Sequence, residues 1–349
     1  MRLAYLIMAH HQPEHLLRMV NALDSRGASF YVHVDKKVDA APFHALIGSR
    51  KNVLLLHDRV STNWMGFSLV KATLRLLREA VSRGFDYCVL LSGSDYPIKS
   101  NDYLFSFFSR AEKEYLTFWR LEDRPSWRHK VEYFYFVDAI PIRPWSTNSD
   151  PVFWRRYFWG RFFKYQPLMP KRTFLEGMVP YGGPDWWSLS YDCASYILRF
   201  LNDNPQFVRF YKYTNSPGEM FFQTIVLNST WATRVENYEN YEKWSAERDR
   251  RQVHADTEML PEEAFNYRYV DWSGNITGCR ETPAILDDRD WLALKNSNCH
   301  FARKFDQQHS AALLDRIDYE ILGLTALQTT NIGEQRPTVV PTEVLQTAG

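Results

Sequence analysis

Residues 1–12 read MRLAYLIMAHHQ, and whether they form a leader or a strand governs every later assignment. A short apolar run behind one early Arg could begin an export signal. No small-residue cleavage site follows it, and the run stops at His10 and His11, so residues 3–10 read as a first strand. Its unbroken apolarity, without alternation, is that of a strand covered on both faces of a parallel sheet. The next segments agree. EHLLRMVNALDSRG is an amphipathic helix ending in Gly27, and SFYVHVD (29–35) is a second strand. AAPFHALIGSR is helical, NVLLLHD is a strand, SLVKATLRLLREAVSRG is a helix closed by Gly84, and DYCVLLSGSD is a further strand. Strands alternating with helices predict an α/β fold with a mostly parallel sheet flanked by helices. Ligands bind such sheets beyond the carboxyl ends of the strands. Here those ends carry His10, His11, Asp35, Lys36, the Asp58–Trp64 loop and SGSDYPIKS.

The chain has 349 residues, enough for one large domain or two small ones. Hydrophobic residues make up 45%, which supports a substantial core. A formal net charge of +1 lacks the basic excess of a general nucleic-acid binder. Aromatic residues reach 16%, with 12 Trp, a supply of flat rings for either a core or sugar faces. The four cysteines, Cys88, Cys193, Cys279 and Cys299, show no CxxC spacing, and a reducing compartment is the default. Cys279 and Cys299 could be spatial neighbours. Without an export signal or an apolar run of ~18 residues, the expected location is cytoplasmic.

Residues 113–180 differ. They are rich in aromatic and basic residues and poor in periodicity, and they read as an irregular insertion on an otherwise single domain, 1–322. Three uses fit: rings packed on the core, an acceptor-binding wall, or a patch facing anionic lipid headgroups. From Gly323 the composition turns to Thr, Gln, Pro and Gly, and 323–349 read as a disordered tail.

Several stretches could carry chemistry. There is no GxGxxG after the first strand and no GxxxxGK[ST], which removes the usual dinucleotide and P-loop readings. TNSPGEMFFQTIVLNS (214–229) places Glu219 three residues after Ser216, a capping box with Pro217 in the first helical position. Glu219 is thus either a cap or a proton acceptor. HFARKFD (300–306) gives adjacent cations, Arg303 and Lys304, which reach one anion only where the chain turns. GGPDWW (182–187) offers close backbone approach, the Asp185 carboxylate and the Trp186 ring. Asp35 could accept from a base or ribose hydroxyl, Asp95 lies in a turn, and Asp271 and Trp272 close YVDW. No metal set is found: the one D-x-D, Asp288-Arg289-Asp290, precedes WLALK as an N-cap would.

Taken in order, AYLIMAHHQ, FYVHVDKK, NWMGFSLVKATLRLL, LLSGSDYPIKSND, GGPDWWSLS, SPGEMFFQTIVLNS, YVDWSG and FARKFD resemble glycosyltransferase family 14. This is the family of core-2/I-branching β-1,6-N-acetylglucosaminyltransferases and peptide O-xylosyltransferases, and the likeness is greater to the xylosyltransferase branch. The resemblance implies a GT-A-type fold and inverting, metal-independent transfer from a UDP-sugar to an acceptor hydroxyl. UDP-xylose leads as donor, with UDP-N-acetylglucosamine next. By position it implies Glu219 as catalytic base and Arg303 with Lys304 at the diphosphate. Asp35 falls at the uridine, and Trp64, Asp185 and Trp186 at the sugar or acceptor; by their places at strand ends, His10 and Lys36 are expected beside the uridine, and Asp95, Asp271 and Trp272 beside the sugar or acceptor. No cofactor is implied beyond the UDP-sugar. The acceptor is a glycan, a peptide or a lipid-linked molecule, the last with peripheral membrane contact. A nucleotide-sugar or glycan-binding protein without turnover is the alternative. The chain departs from the family at Pro184, where Ser is usual, at Gly218, where Asp or Ala is frequent, and through 113–180.

Overall fold

A computed structural model describes residues 1–139, 169–251, 265–272 and 283–324. The expected tail lies outside them from residue 325 onward, as do 140–168 of the aromatic-basic region and Cys279.

The first strand, β1 (Leu3–Ala9), has Tyr5, Leu6 and Ile7 fully buried, as its unbroken apolarity requires. Helix α1 (Pro13–Leu23), β2 (Ala28–Val34), α2 (Ala41–Ile47), β3 (Val53–Leu55), α3 (Phe67–Arg83) and β4 (Tyr87–Ser92) follow in the expected alternation. Helix α1 ends at Leu23, earlier than the sequence reading placed it. The N–H of Asp24 closes it, and Gly27 lies in the turn beyond. Gly84 does close α3, with φ 75° and its N–H on Ala80 and Val81 carbonyls.

Then come β5 (Asp95–Pro97), α4 (Asn101–Ser109), β6 (Tyr115–Leu116), β7 (Trp119–Arg120) and α5 (His129–Glu132). Strands β8 (Tyr181–Gly182) and β9 (Trp187–Ser190) precede helices α6 (Tyr191–Asp203), α7 (Pro205–Tyr211), α8 (Gly218–Leu227) and α9 (Tyr238–Arg251). Strand β10 (Arg268–Val270), α10 (Trp291–Asn296), β11 (Phe301–Arg303) and α11 (Ala311–Glu320) complete the described chain.

The main sheet runs β3-β2-β1-β4-β9-β6. Its β3, β2, β1 and β4 are parallel, and β9 joins antiparallel to β4 and β6. The architecture is therefore mixed α/β with a mostly parallel central sheet flanked by helices, consistent with a GT-A-like domain. One face of the sheet packs on α3, α6 and α8, the other on α1, α4 and α11. Arg18 of α1 fastens α11 by bonds of 2.7–2.9 Å to Asp315 and Asp318.

The aromatic-basic region is not wholly an insertion. Residues 115–116 enter the main sheet beside β9, with Tyr115 opposite Ser188. A two-residue strand is too short to show a period of two, so the sequence hid it. A second, three-stranded sheet, β10-β11-β5, abuts the carboxyl ends of the parallel strands. It pairs Arg303 with Asp95 and Val270 with Arg303. The D-x-D stretch lies within a cap, but the capping residue is Asp287 just before it: Asp287 and Asp290 form a capping box for the turn ahead of α10. Among the described residues, no helix is long and apolar enough to cross a membrane.

Candidate active site

The site forms where the carboxyl ends of β1, β2 and β4 meet β5, β11, the β8–β9 corner and the start of α8. Helix α8 is apolar and buried from Met220 onward, so only its first turn meets the cleft. The expected capping box is absent. Ser216 adopts a left-handed backbone, φ 46°, its N–H bonds to the Met65 carbonyl at 3.1 Å, and Pro217 becomes the N-cap. The Glu219 side chain is instead 30% exposed and accepts from Nζ of Lys130 through Oε2. Negative charge in a first helical turn is favoured by the dipole by roughly 0.3–1 kcal/mol.

Asp185 sits against the same turn. A Cβ on Gly218 would lie 2.1 Å from its Oδ1, so the glycine is what lets the carboxylate approach the helix. Desolvation, reinforced by Glu219, pushes Asp185 up to about 7, with Arg303 and Lys130 pulling it down. Four charges thus share one pocket: Glu219 and Asp185 against Lys130 and Arg303. The expected close backbone approach in GGPDWW is present at Gly183. A Cβ on Gly183 would lie 2.0 Å from the Thr117 carbonyl, so the close approach is to the protein's own chain.

Arg303 ends β11 with its guanidinium 4.3 Å from the centroid of the Trp186 ring. Its Nε is 3.5 Å from Oδ1 of Asp95. The structure corrects the assignment of Asp95 to the sugar or acceptor. Asp95 is 0% exposed and receives Arg268 Nη1 at 2.8 Å and the Ser92 N–H and hydroxyl at 2.9 Å. It has no surface to offer a ligand and instead positions the two arginines. Arg268 also donates to the Leu90 carbonyl at 2.8 Å, and burial draws its guanidinium down to about 10 despite Asp95.

Lys304 lies within electrostatic reach of His10, as do Asp35 and Lys37. At the end of β2, Asp35 accepts from the Lys37 N–H at 2.8 Å and from the Thr62 hydroxyl. It is nearly buried and anchors the loop leading to Trp64. Lys36 is exposed, with its N–H on the Val60 carbonyl at 3.0 Å. Trp64 and Trp272 are each 57% exposed. The bond from Ser216 to Met65 brings the Trp64 loop beside the start of α8. Asp271 follows β10, whose Val270 is in register with Arg303. Among the described residues no group of three or more His, Cys, Asp or Glu could hold a metal ion.

The sequence reading missed Lys130, Trp127 and Arg268. Lys130 lies on a four-residue helix, too short for any periodicity, in the region that matched no motif. Arg268 stands just before YVDWSG, outside every motif the sequence presents.

The family model described as "Branch: Core-2/I-Branching enzyme" matches residues 3–290. Among curated relatives, "Xylosyltransferase 2" of Homo sapiens is 27% identical over 335 residues, covering 92% of this chain and 34% of that protein. "Xylosyltransferase 1" of Pan troglodytes is 26% identical over 332 residues, covering 92% and 31%. "Xylosyltransferase 2" of Mus musculus is 26% identical over 335 residues, covering 92% and 34%. The chain spans about a third of the length of these relatives.

Proposed function

Because the chain belongs to the core-2/I-branching enzyme family, with its residues 3–290 matching the family model, we propose that it is a glycosyltransferase. It would move a sugar from a UDP-sugar to an acceptor hydroxyl with inversion, giving a β-glycoside. The observation that carries the reading is the placement of Glu219. It is a partly exposed carboxylate in the first turn of a buried helix, in one charge cluster with Asp185, Lys130 and the Arg303 that rests on Trp186.

In the proposed step Glu219 takes the acceptor hydroxyl's proton, worth about 10²–10⁴-fold. The acceptor oxygen forms its bond to the anomeric carbon on the face opposite UDP. The bond from that carbon to the diphosphate oxygen breaks, and UDP leaves with the electron pair. Arg303 and Lys304 meet the charge that grows on the diphosphate, so that protein cations take the part a divalent ion has elsewhere. Asp185 and Trp186 flank the sugar. UDP-xylose is the first candidate donor, since the relatives are named xylosyltransferases, and UDP-N-acetylglucosamine the second. The acceptor is a hydroxyl of a glycan, peptide or lipid-linked molecule.

Calorimetry with UDP-xylose, UDP-N-acetylglucosamine, UDP-glucose and GDP-mannose in EDTA tests this. One UDP-sugar should bind and GDP-mannose should not. Binding that requires a divalent ion overturns the metal-independent step. Binding without UDP release, across glycoside and peptide acceptors, leaves a nucleotide-sugar-binding protein.

A further inference from the structure

Lys130 is the least expected member of the charge cluster, and its surroundings say what it does. Its Nζ donates to Oε2 of Glu219 and lies 3.5 Å from the centroid of the Trp127 ring. Its side chain is only 10% exposed, against 30% for Glu219, so the ammonium stands behind the carboxylate. Its main chain is tied to the same neighbourhood. The Asn215 N–H donates to the Lys130 carbonyl at 3.3 Å, and the Tyr135 N–H donates to the Tyr213 carbonyl at 2.9 Å. Helix α5 is thereby stitched to the segment that leads into α8.

The result is an oriented carboxylate. Oε2 is committed to Lys130, while Oε1 has no hydrogen-bond partner among the described residues. A glutamate side chain left to itself samples many rotamers, and fixing it removes an entropy cost from the reaction step. The groups facing Glu219 are Lys130 from α5 and Asp185 from the β8–β9 corner, with Arg303 of β11 balancing Asp185.

We infer that Lys130, seated on Trp127, is a positioning residue that fixes Glu219 with Oε1 turned to the acceptor. This rests on the reading of Glu219 as the base. It assigns Lys130 no contact with either substrate.

The test measures UDP release from UDP-xylose, with glycoside and peptide acceptors, for Lys130→Met, Lys130→Arg and Glu219→Gln. UDP affinity and thermal midpoint are measured alongside. Lys130→Met should lower kcat by about 10–100-fold, with the donor KM and UDP affinity within about twofold. Lys130→Arg, still a cation and a donor, should restore most of the loss. Combined with Glu219→Gln, Lys130→Met should cost nothing further, because it acts through a base already removed. If Lys130→Met does not fold, Lys130→Gln carries the same expectations with less disturbance. Unchanged kcat, an arginine variant as poor as the methionine one, or an additive loss in the double variant each overturn the inference. Turnover that survives Glu219→Gln overturns the reading of the base instead.

Discussion

Two carboxylate–cation pairs lie at the candidate site and are built in opposite ways. Asp95 and Arg268 are sealed from solvent and held on both sides, by Ser92 on the carboxylate and by the Leu90 carbonyl on the guanidinium. In the second pair Lys130 is buried but Glu219 is partly open, with Oε2 bonded and Oε1 without a hydrogen-bond partner among the described residues. A sealed pair cannot meet a substrate, and removing one member strands a buried charge. An open pair can lose a member with little harm to the fold, but it loses an oriented reactive atom. The difference teaches that a charged pair in a cleft is not thereby catalytic. What distinguishes Glu219 is the carboxylate oxygen left without a hydrogen-bond partner among the described residues, not the ion pair itself.

The largest expected effect attacks the open pair. Glu219→Gln should lower turnover by about 10²–10⁴-fold while UDP affinity and thermal midpoint hold, measured by UDP release, calorimetry and melting. Next, Arg268→Met should cost about 3–5 kcal/mol of stability by leaving Asp95 unpaired in the interior, read from urea unfolding. If these two variants exchanged their effects, the distinction between the pairs would collapse.

Asp185 provides the third, through pH. Its carboxyl is raised to about 7 in the folded protein against roughly 4 in an unfolded chain. The folded state therefore holds this proton more tightly. The stability it contributes is fully present below about pH 4 and is lost as pH rises through about 7. The change across that window is on the order of 2–4 kcal/mol. Melting curves from pH 4 to 8 should show this slope, and Asp185→Asn should flatten it. The smallest effect is at the rim. Lys304→Ala should weaken UDP binding by about tenfold, the scale of one charge-assisted contact, and unchanged affinity would remove Lys304 from the diphosphate site.

What could be read beforehand divides along the same line. The parallel half of the sheet was plain because β1 is buried on both faces and its sequence is apolar throughout. Gly84 and the Asp287–Asp290 cap are local devices and are written locally. The capping box at Ser216 failed because the competing partners are distant. The Ser216 N–H is taken by Met65, and the Glu219 side chain is drawn to Lys130, 89 residues away. Asp95 seemed a ligand because it stands at a strand end. Only the crossing of β5 by β11, with β10 bringing Arg268 alongside, puts it inside. Arg303 and Lys304 were legible as cations, but the Trp186 ring beneath Arg303 was not legible as its seat.

The sealed pair also sets a timetable for the newborn chain. Arg268 lies 173 residues beyond Asp95. At ribosomal rates of about 5–20 residues per second, roughly 10–30 s pass between their syntheses. Throughout that interval Asp95 is an acid without its cation, and β5 has no β11 to lie against. The strand must wait in water, although its Tyr96 and the following Ile98 end fully buried. The parallel core can form while the ribosome is still working, but the cleft closes only when the last strands emerge. A chain interrupted between residues 190 and 268 would carry all six strands of the main sheet and an exposed, unneutralised Asp95, a form suited to recognition by chaperones.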